Sequence, residues 1–156
     1  MYIFRFFVVM VFVASTAVLP LSAGESTPDN PRYIALSNKG TYTISDIWVK
    51  WKVDGDTKSR KFTADVTQDD GFCVDLSKVQ SDGDYIPEGS EVWIEAQIAL
   101  GEKKSCRKDR KHYYKKTNKI WYLKMGGETL TKNRCENTDH ADYYSPVASG
   151  NSSYCG

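Results

Sequence analysis

The chain of 156 residues lacks a hydrophobic stretch long enough to cross a membrane. The apolar run Phe6–Val13 has eight residues, whereas a transmembrane helix needs about 20. The run follows the early positive charge of Arg5 and precedes Pro20 and the small residues at positions 22–24. This order is typical of a secretory signal peptide. We therefore predict a signal peptide over residues 1–23 and a secreted, extracellular protein with no transmembrane segment in its mature chain.

Histidine is scarce, and the common motifs of nucleophilic catalysis are absent. The two histidines, His112 and His140, lie in separate polar segments and are interpreted as surface residues, and no G-x-S-x-G sequence occurs. A small secreted hydrolase, such as a ribonuclease with two acid–base histidines, therefore ranks last among the functions considered. The acidic stretches at 65–71 and 81–85 lack the spaced ligands of a calcium loop and are typical of β-turns. We expect no catalytic residue, no metal and no cofactor.

No two cysteines are close enough in the sequence to form a C-x-x-C unit, which argues against a zinc site. An even number of cysteines in an exported chain predicts disulfides instead, here two of them with no free thiol. Three pairings of the four cysteines are possible, and the sequence alone does not choose among them. The pairing favoured at this point is Cys73–Cys106 with Cys135–Cys155.

No stretch shows a convincing 3.6-residue repeat, so the dominant pattern is the period-two alternation of β-strands. Apolar residues alternate with polar ones over 44–53, where Trp51 is predicted to lie in the core, and again over 91–100. Asp54-Gly55 directly follows the first of these runs and is typical of a β-hairpin turn. We predict an all-β fold, an antiparallel β-sandwich with two disulfides.

The predicted sandwich occupies residues 32–136, between a polar leader at 24–31 and a polar C-terminal tail at 137–156. We expect this tail to be loose except where Cys155 attaches it to the domain. Asn151-Ser152-Ser153 is the only N-glycosylation sequon of the mature chain. The sequence therefore predicts a glycoprotein modified at Asn151.

The mature chain has almost no net charge, but its charge is unevenly distributed. Without the signal peptide, 21 − 1 = 20 basic residues balance 20 acidic ones. Nine of the basic residues lie in the segment Lys103–Lys119, here called the basic block, with Asp109 as its one acid. The rest of the mature chain has 20 − 9 = 11 basic and 20 − 1 = 19 acidic residues. Because the block lies between two predicted strands, we interpret it as a long loop with a ragged hairpin at 112–116.

Two interpretations of the basic block stay open. Lysines protect the edges of sheets against association, although nine basic residues are more than that task needs. The favoured interpretation is a non-catalytic binding module that contacts an anionic surface, either a sulfated glycan or an acidic lipid headgroup. Nucleic acid is not expected as a partner, and the oligomeric state is not predicted. The predicted contacts are Lys103, Lys104, Arg107, Lys108, Arg110, Lys111, Lys115 and Lys116, with Tyr113 and Tyr114 as flat aromatic contacts.

Two tryptophans fall on the polar faces of their strands. Trp48 alternates with Ile47 and Val49, and Trp93 alternates with Val92 and Ile94. Exposed tryptophan stacks on sugars or anchors at interfaces, so an alternative function is a secreted carbohydrate- or protein-binding effector that uses Trp48 or Trp93. The opposing interpretation is that these side chains cover a sheet edge or pack under a loop.

Two sequence stretches resemble the C-terminal β-sandwich domain of the thiol-activated, cholesterol-dependent cytolysins. The first is ALSNKGTYTISDIWVKWKVDG at 35–55, whose matching residues are Ser37, Asn38, Lys39, Gly40, Tyr42 and Trp51. The second is WYLKMGGETLTKNRCEN at 121–137, with Gly127, Glu128, Thr129 and Leu130. The resemblance extends over Tyr33–Asn137 and implies a stand-alone secreted domain of the same build.

The chain also departs from that family. The tryptophan-rich loop of those domains would fall at 100–114, where this sequence has no tryptophan and carries cations instead. The pore-forming segments of the family lie in other domains, for which the chain has no room. We do not carry sterol contact over to Thr129 and Leu130, so the resemblance implies the fold, with a tip that is basic instead of apolar.

Overall fold

A computed structural model describes residues 30–107, 111–128, 130–141, 150–152 and 155. The predicted signal peptide, all but the end of the leader, Lys108, Arg110 and most of the tail lie outside the described residues. The described chain confirms the all-β fold, with a single turn of 3₁₀-helix at Leu76–Lys78. Its strands are β1 (Tyr33–Asn38), β2 (Ile44–Val53), β3 (Asp56–Val66), β4 (Gly71–Asp75), β5 (Gln80–Ser81), β6 (Asp84–Tyr85), β7 (Glu91–Ile98), β8 (Lys103–Ser105), β9 (His112–Tyr113), β10 (Ile120–Gly126) and β11 (Arg134–Thr138).

The strands form two sheets that pack face to face. Sheet A has the order β11-β10-β1-β4, and sheet B has the order β3-β2-β7, with β8 and β9 both on the far side of β7. The strands β5 and β6 form a separate hairpin. Every pair is antiparallel except β1 and β10, which run parallel from Tyr33↔Ile120 to Asn38↔Met125. This parallel pair departs from the predicted antiparallel arrangement, because alternation shows which face a residue occupies and carries no information on strand direction.

The core lies between the two sheets and is built from the inward residues of each strand. Trp51 is buried there, as predicted, together with Ile47 and Val49 of the same strand. Burial of this side chain contributes strongly to the free energy of unfolding, since replacing a core tryptophan by alanine typically costs about 3–5 kcal/mol. Sheet A contributes Ile34, Leu36, Phe72, Val74, Trp121, Leu123 and Met125 to the same cluster.

The sequence predicted the C-terminal end of β2 correctly and that of β7 incorrectly. Asp54 and Gly55 have φ angles of 50° and 91°, so the hairpin between β2 and β3 is confirmed and uses the left-handed conformation that glycine adopts readily. At the end of β7 the inward row was predicted to continue to Leu100. This is wrong, because the backbone turns at Leu100 with a φ of 59° and leaves its side chain 98% exposed.

The disulfides are Cys73–Cys155 and Cys106–Cys135, with Cα–Cα distances of 5.7 and 5.3 Å. The favoured pairing of Cys73 with Cys106 and of Cys135 with Cys155 was therefore wrong. The physical reason is that sheet A separates the first two cysteines. Phe72 and Val74 point into the core, so Cys73 points outwards, whereas Cys106 belongs to the core cluster.

The described end of the tail, residues 150–152 and Cys155, lies on the side of sheet A that points away from the core, and Cys155 attaches it there, as predicted. Cys73 and Cys155 form a small apolar cluster with Tyr33 and Ala35. The side chain of Asn151 accepts a hydrogen bond from the Asp75 N–H at 2.6 Å and donates one to the Asp75 carbonyl at 3.2 Å. The Asn151 side chain thus pairs with the Asp75 backbone as a neighbouring strand would. Its glycosylation stays a prediction.

Candidate anion-binding face

The first half of the basic block forms the edge of sheet B. The strands β8 and β9 pair with two different parts of β7, Lys103–Ser105 against Glu95–Gln97 and His112–Tyr113 against Glu91–Val92. Between them the Cys106 N–H still donates to the Ile94 carbonyl at 2.9 Å. The predicted loop with a hairpin at 112–116 is therefore wrong, and the segment is an interrupted edge strand.

The surface of sheet B that points away from the core is here called the outer face. Strand register places Trp48 between Lys61 of β3 and Glu95 of β7, and Lys50 between Ser59 and Trp93. The edge strand extends this surface, because Lys103 lies opposite Gln97 and Ser105 lies opposite Glu95. The outer face thus unites part of the basic block with the two tryptophans that the sequence placed on polar strand faces. Among the described residues its cations are Lys50, Lys52, Lys61, Lys103, Arg107 and Lys111, and its acids are Asp46, Asp65, Glu91 and Glu95.

Cations cover both tryptophans of this face. The Lys103 Nζ lies 3.7 Å from the ring centroid of Trp48, and the Arg107 guanidinium carbon lies 4.5 Å from that of Trp93. Each such contact is worth about 0.5–1 kcal/mol at an exposed site. Trp93 is only 4% exposed, so its prediction as an exposed stacking residue was wrong. It packs under a side chain of the edge strand, while Trp48 stays half-buried.

The acids of the outer face lie deeper than the cations that pair with them. The Glu91 side chain is 7% exposed beneath Arg107, whose Nε donates to it at 2.9 Å, and beside Lys111, which is 61% exposed. Asp46 pairs with the more exposed Lys61 at 3.0 Å, and Glu95 pairs with Lys50 at 2.7 Å. Six cations against four acids, three of which lie deeper than the cations that pair with them, leave the described part of this face positive towards solvent.

The remaining predicted residues of the edge strand do not share one surface. Lys104 lies opposite Ala96, so it is on the inward side of the sheet edge. Tyr113 is exposed and lies opposite Glu91 on the outer face. Tyr114 was predicted as a flat surface contact, which is wrong because it is 1% exposed. Burial also raises the pKa of its hydroxyl above the ordinary value.

The second half of the basic block lies apart from the outer face. The Lys115 N–H donates to the Pro31 carbonyl at 3.2 Å, and the Lys116 N–H donates to Glu88 Oε1 at 3.1 Å. Lys115 and Lys116 therefore belong to the loop before β10. His112, interpreted as a surface residue, is buried and stacks on Trp121 with 3.8 Å between ring centroids.

Sequence reasoning missed three lysines of the outer face, namely Lys50, Lys52 and Lys61. The signal was present for the first two, since both alternate with core residues in the same strand as Trp51. Lys61 could be added only once the β2–β3 register was known, because that register brings it opposite Trp48.

Two possible kinds of site are not observed in the described part of the chain. Over these residues, no three His, Cys, Asp or Glu side chains are grouped so that they could hold a metal ion. No helix within the described ranges is long and apolar enough to span a bilayer.

Comparison with known proteins gives matches among solved structures alone. No family model matches the chain, and no curated protein matches it. The structure of pneumolysin matches with a TM-score of 0.34 and 13% identity, over 68% of this chain and 23% of the pneumolysin chain. The membrane-binding domain of pneumolysin matches with a TM-score of 0.32 and 14% identity, over 70% of this chain and 97% of that domain. Listeriolysin O gives 0.27 and 15%, over 68% of this chain and 22% of its own.

The chain therefore spans less than a quarter of the full-length toxins that it matches. The similarity to the cholesterol-dependent cytolysins is weak and concerns the fold alone.

Proposed function

We propose that this protein is a secreted, non-catalytic binding module that contacts an anionic surface through the outer face of sheet B. The surface would present sulfate groups of a glycan or phosphate and carboxylate groups of acidic lipids. The two disulfides are compatible with an extracellular location, since such bonds persist in oxidising compartments.

The observation that supports this proposal best is the depth of the acids relative to the cations. An anionic surface approaching this side of the sheet meets Lys61, Lys103 and Lys111 before it comes near Asp46 or Glu91. Because the acids lie deeper than the cations, they hold the cations in place and leave the solvent side of the cations free to contact a ligand. A ligand with regularly spaced negative charges can therefore be bound without breaking the ion pairs.

The distribution of the cations over several strands also supports an extended ligand. Neighbouring strands lie about 4.8 Å apart, so cations on β2, β3 and the edge strand form a grid. Trp48 and Trp93 underlie this grid and are covered by Lys103 and Arg107. This cover weakens the alternative in which a sugar stacks on Trp93, because the ring is already in contact with Arg107.

A charge-reversal pair tests the proposal. The face variant carries Lys52→Glu, Lys103→Glu and Lys111→Glu. The control variant carries three reversals with the same change of net charge on exposed lysines away from the outer face, Lys78→Glu, Lys119→Glu and Lys132→Glu. Both variants should fold, since surface substitutions usually change stability by less than about 0.5 kcal/mol.

The measurement is retention on heparin and on phosphatidylserine vesicles over a salt series. Near an anionic membrane each basic residue is worth about 1 kcal/mol, so loss of three predicts roughly a hundredfold weaker binding of the face variant. Binding of the wild type should also weaken steeply with salt. Preference for heparin or for vesicles identifies the source of the anions. Equal retention of the face variant and the control variant would refute the proposed face.

A further inference from the structure

A cavity of about 380 Å³ lies at the end of the domain where the β5–β6 hairpin approaches the loop before β10. Small-molecule sites usually measure about 300–1,000 Å³, so the cavity is at the lower end of that range. It shares no residue with the outer face of sheet B. Tyr85, Ile86 and Pro87 line it from one loop, Tyr114 and Lys116 from the other, and Ser77 and Glu88 complete it.

The first observation that indicates a ligand is the Tyr114 hydroxyl. The residue is 1% exposed, yet no described residue forms a hydrogen bond with its hydroxyl group. Buried tyrosine hydroxyls normally have a partner. The fully enclosed side-chain polar atoms without a partner in the described chain are the Tyr42 hydroxyl and Asn133 Oδ1, and the Tyr114 oxygen is not among them. Tyr114 is one of the residues that line the cavity.

The second observation is Tyr85, an aromatic side chain that the fold leaves uncovered. It lies in the two-residue strand β6 and is 60% exposed, although it lines the cavity. The hairpin places it there through a turn at Asp82 and Gly83, whose φ angles are 54° and 89°. One side of the cavity thus offers a flat apolar surface to a bound molecule.

The polar groups around this surface are both donors and acceptors. The Ser77 hydroxyl donates to Asp75 Oδ1 at 2.6 Å, so its own lone pairs are left to accept. Glu88 uses Oε1 to accept the Lys116 N–H at 3.1 Å, and it has a second carboxylate oxygen. The Lys116 ammonium and the Tyr114 hydroxyl add donors.

The geometry points to a binding site for one sugar residue of a glycan in this cavity. A pyranose has an apolar C–H face that stacks on a ring such as Tyr85, and hydroxyls that pair with mixed donors and acceptors. A purely apolar ligand would leave the Tyr114 hydroxyl without a partner and would remove water from the Ser77 hydroxyl and from the second oxygen of Glu88, which is costly. A multiply charged anion would be repelled by the Glu88 carboxylate, which offsets its attraction to the Lys116 ammonium.

Saturation-transfer NMR with the methyl glycosides of glucose, galactose, mannose and N-acetylglucosamine tests this assignment on the mature protein. We expect transfer to at least one glycoside at millimolar concentration, and transfer that persists at high salt. Persistence at high salt separates this site from the outer face, whose binding is led by charge. The proposed function and this site can therefore fail independently.

Two variants and a control locate the binding. Tyr114→Phe keeps the buried ring and removes only the hydroxyl, so we expect roughly threefold to tenfold weaker binding. Tyr85→Ala changes an exposed hairpin residue and should abolish transfer, while Tyr113→Ala on the outer face should not affect it. Thermal unfolding shows whether each variant is folded. Absence of transfer to all four glycosides, or unchanged binding by Tyr85→Ala, would overturn the assignment.

Discussion

The Cys106–Cys135 disulfide ties the edge of sheet B to the edge strand β11 of sheet A. Its removal tests whether this bond holds the cationic edge in place. The perturbation is the double variant Cys106→Ala and Cys135→Ala, and the control is Cys73→Ala with Cys155→Ala. The two bonds close segments of 29 and 82 residues. Loop entropy then predicts losses of about 3.6 and about 4.5 kcal/mol of unfolding free energy.

Urea unfolding measures these global losses, which should be of similar size. The local consequence should differ between the variants. Five residue pairs join β8 and β9 to β7, so without Cys106–Cys135 the edge strand depends on these pairs and on side-chain contacts such as Arg107 with Glu91. We therefore expect amide hydrogen exchange at 103–113 to accelerate strongly in that variant alone.

Removing Cys73–Cys155 should instead accelerate exchange near β4, where the tail is attached. Equal protection of the edge strand in both variants would refute this reasoning. It would show that pairing with β7 is sufficient, and that the disulfide stabilises the fold without positioning the cations of the outer face.

Two further predictions concern buried polar groups. Asp75→Asn removes the carboxylate that accepts hydrogen bonds from Arg32 at 3.1 and 2.9 Å, and we expect about 2–3 kcal/mol lower unfolding free energy in urea. Burial acts to raise the pKa of Asp75, but the hydrogen bonds from Arg32 and Ser77 outweigh it and keep that pKa below the ordinary value. The wild type should therefore lose this stability as the pH falls below about 4, and the variant should lack that loss; parallel acid profiles would contradict the assignment. Burial raises the pKa of Tyr42 to about 12, and its hydroxyl has no partner among the described residues, so Tyr42→Phe should add about 1 kcal/mol at neutral pH. The variant should also lose less stability than the wild type between about pH 10 and 12, and a destabilised phenylalanine variant at neutral pH would count against this account.

The sequence predicted those parts of the fold that depend on local alternation. The strands β2 and β7 have one buried and one polar face, and Asp54-Gly55 has a turn signal of its own, so each could be recognised without knowledge of its neighbours. The parallel pairing of β1 with β10 could not, because it joins segments separated by the whole of sheet B.

The candidate site was predicted only in part for a related reason. The segments that became β8 and β9 have three and two residues, and they are strands only because β7 offers them an open edge. A run of lysines does not indicate that β7 has an open edge nearby, so the basic block was interpreted as a loop. The cover of Trp93 by Arg107 likewise depends on that pairing.

The Cys73–Cys155 bond also has a consequence for the order in which the chain is made. Cys73 leaves the ribosome 82 residues before its native partner, and the first cysteine to follow it is Cys106. An oxidising compartment therefore offers Cys73 a wrong partner long before the right one arrives. Native pairing has to wait until all the described strands are synthesised, or the early bond has to be exchanged by attack of another thiolate. In such a compartment, folding of this small domain should accordingly depend on a disulfide isomerase more than a count of two bonds would suggest.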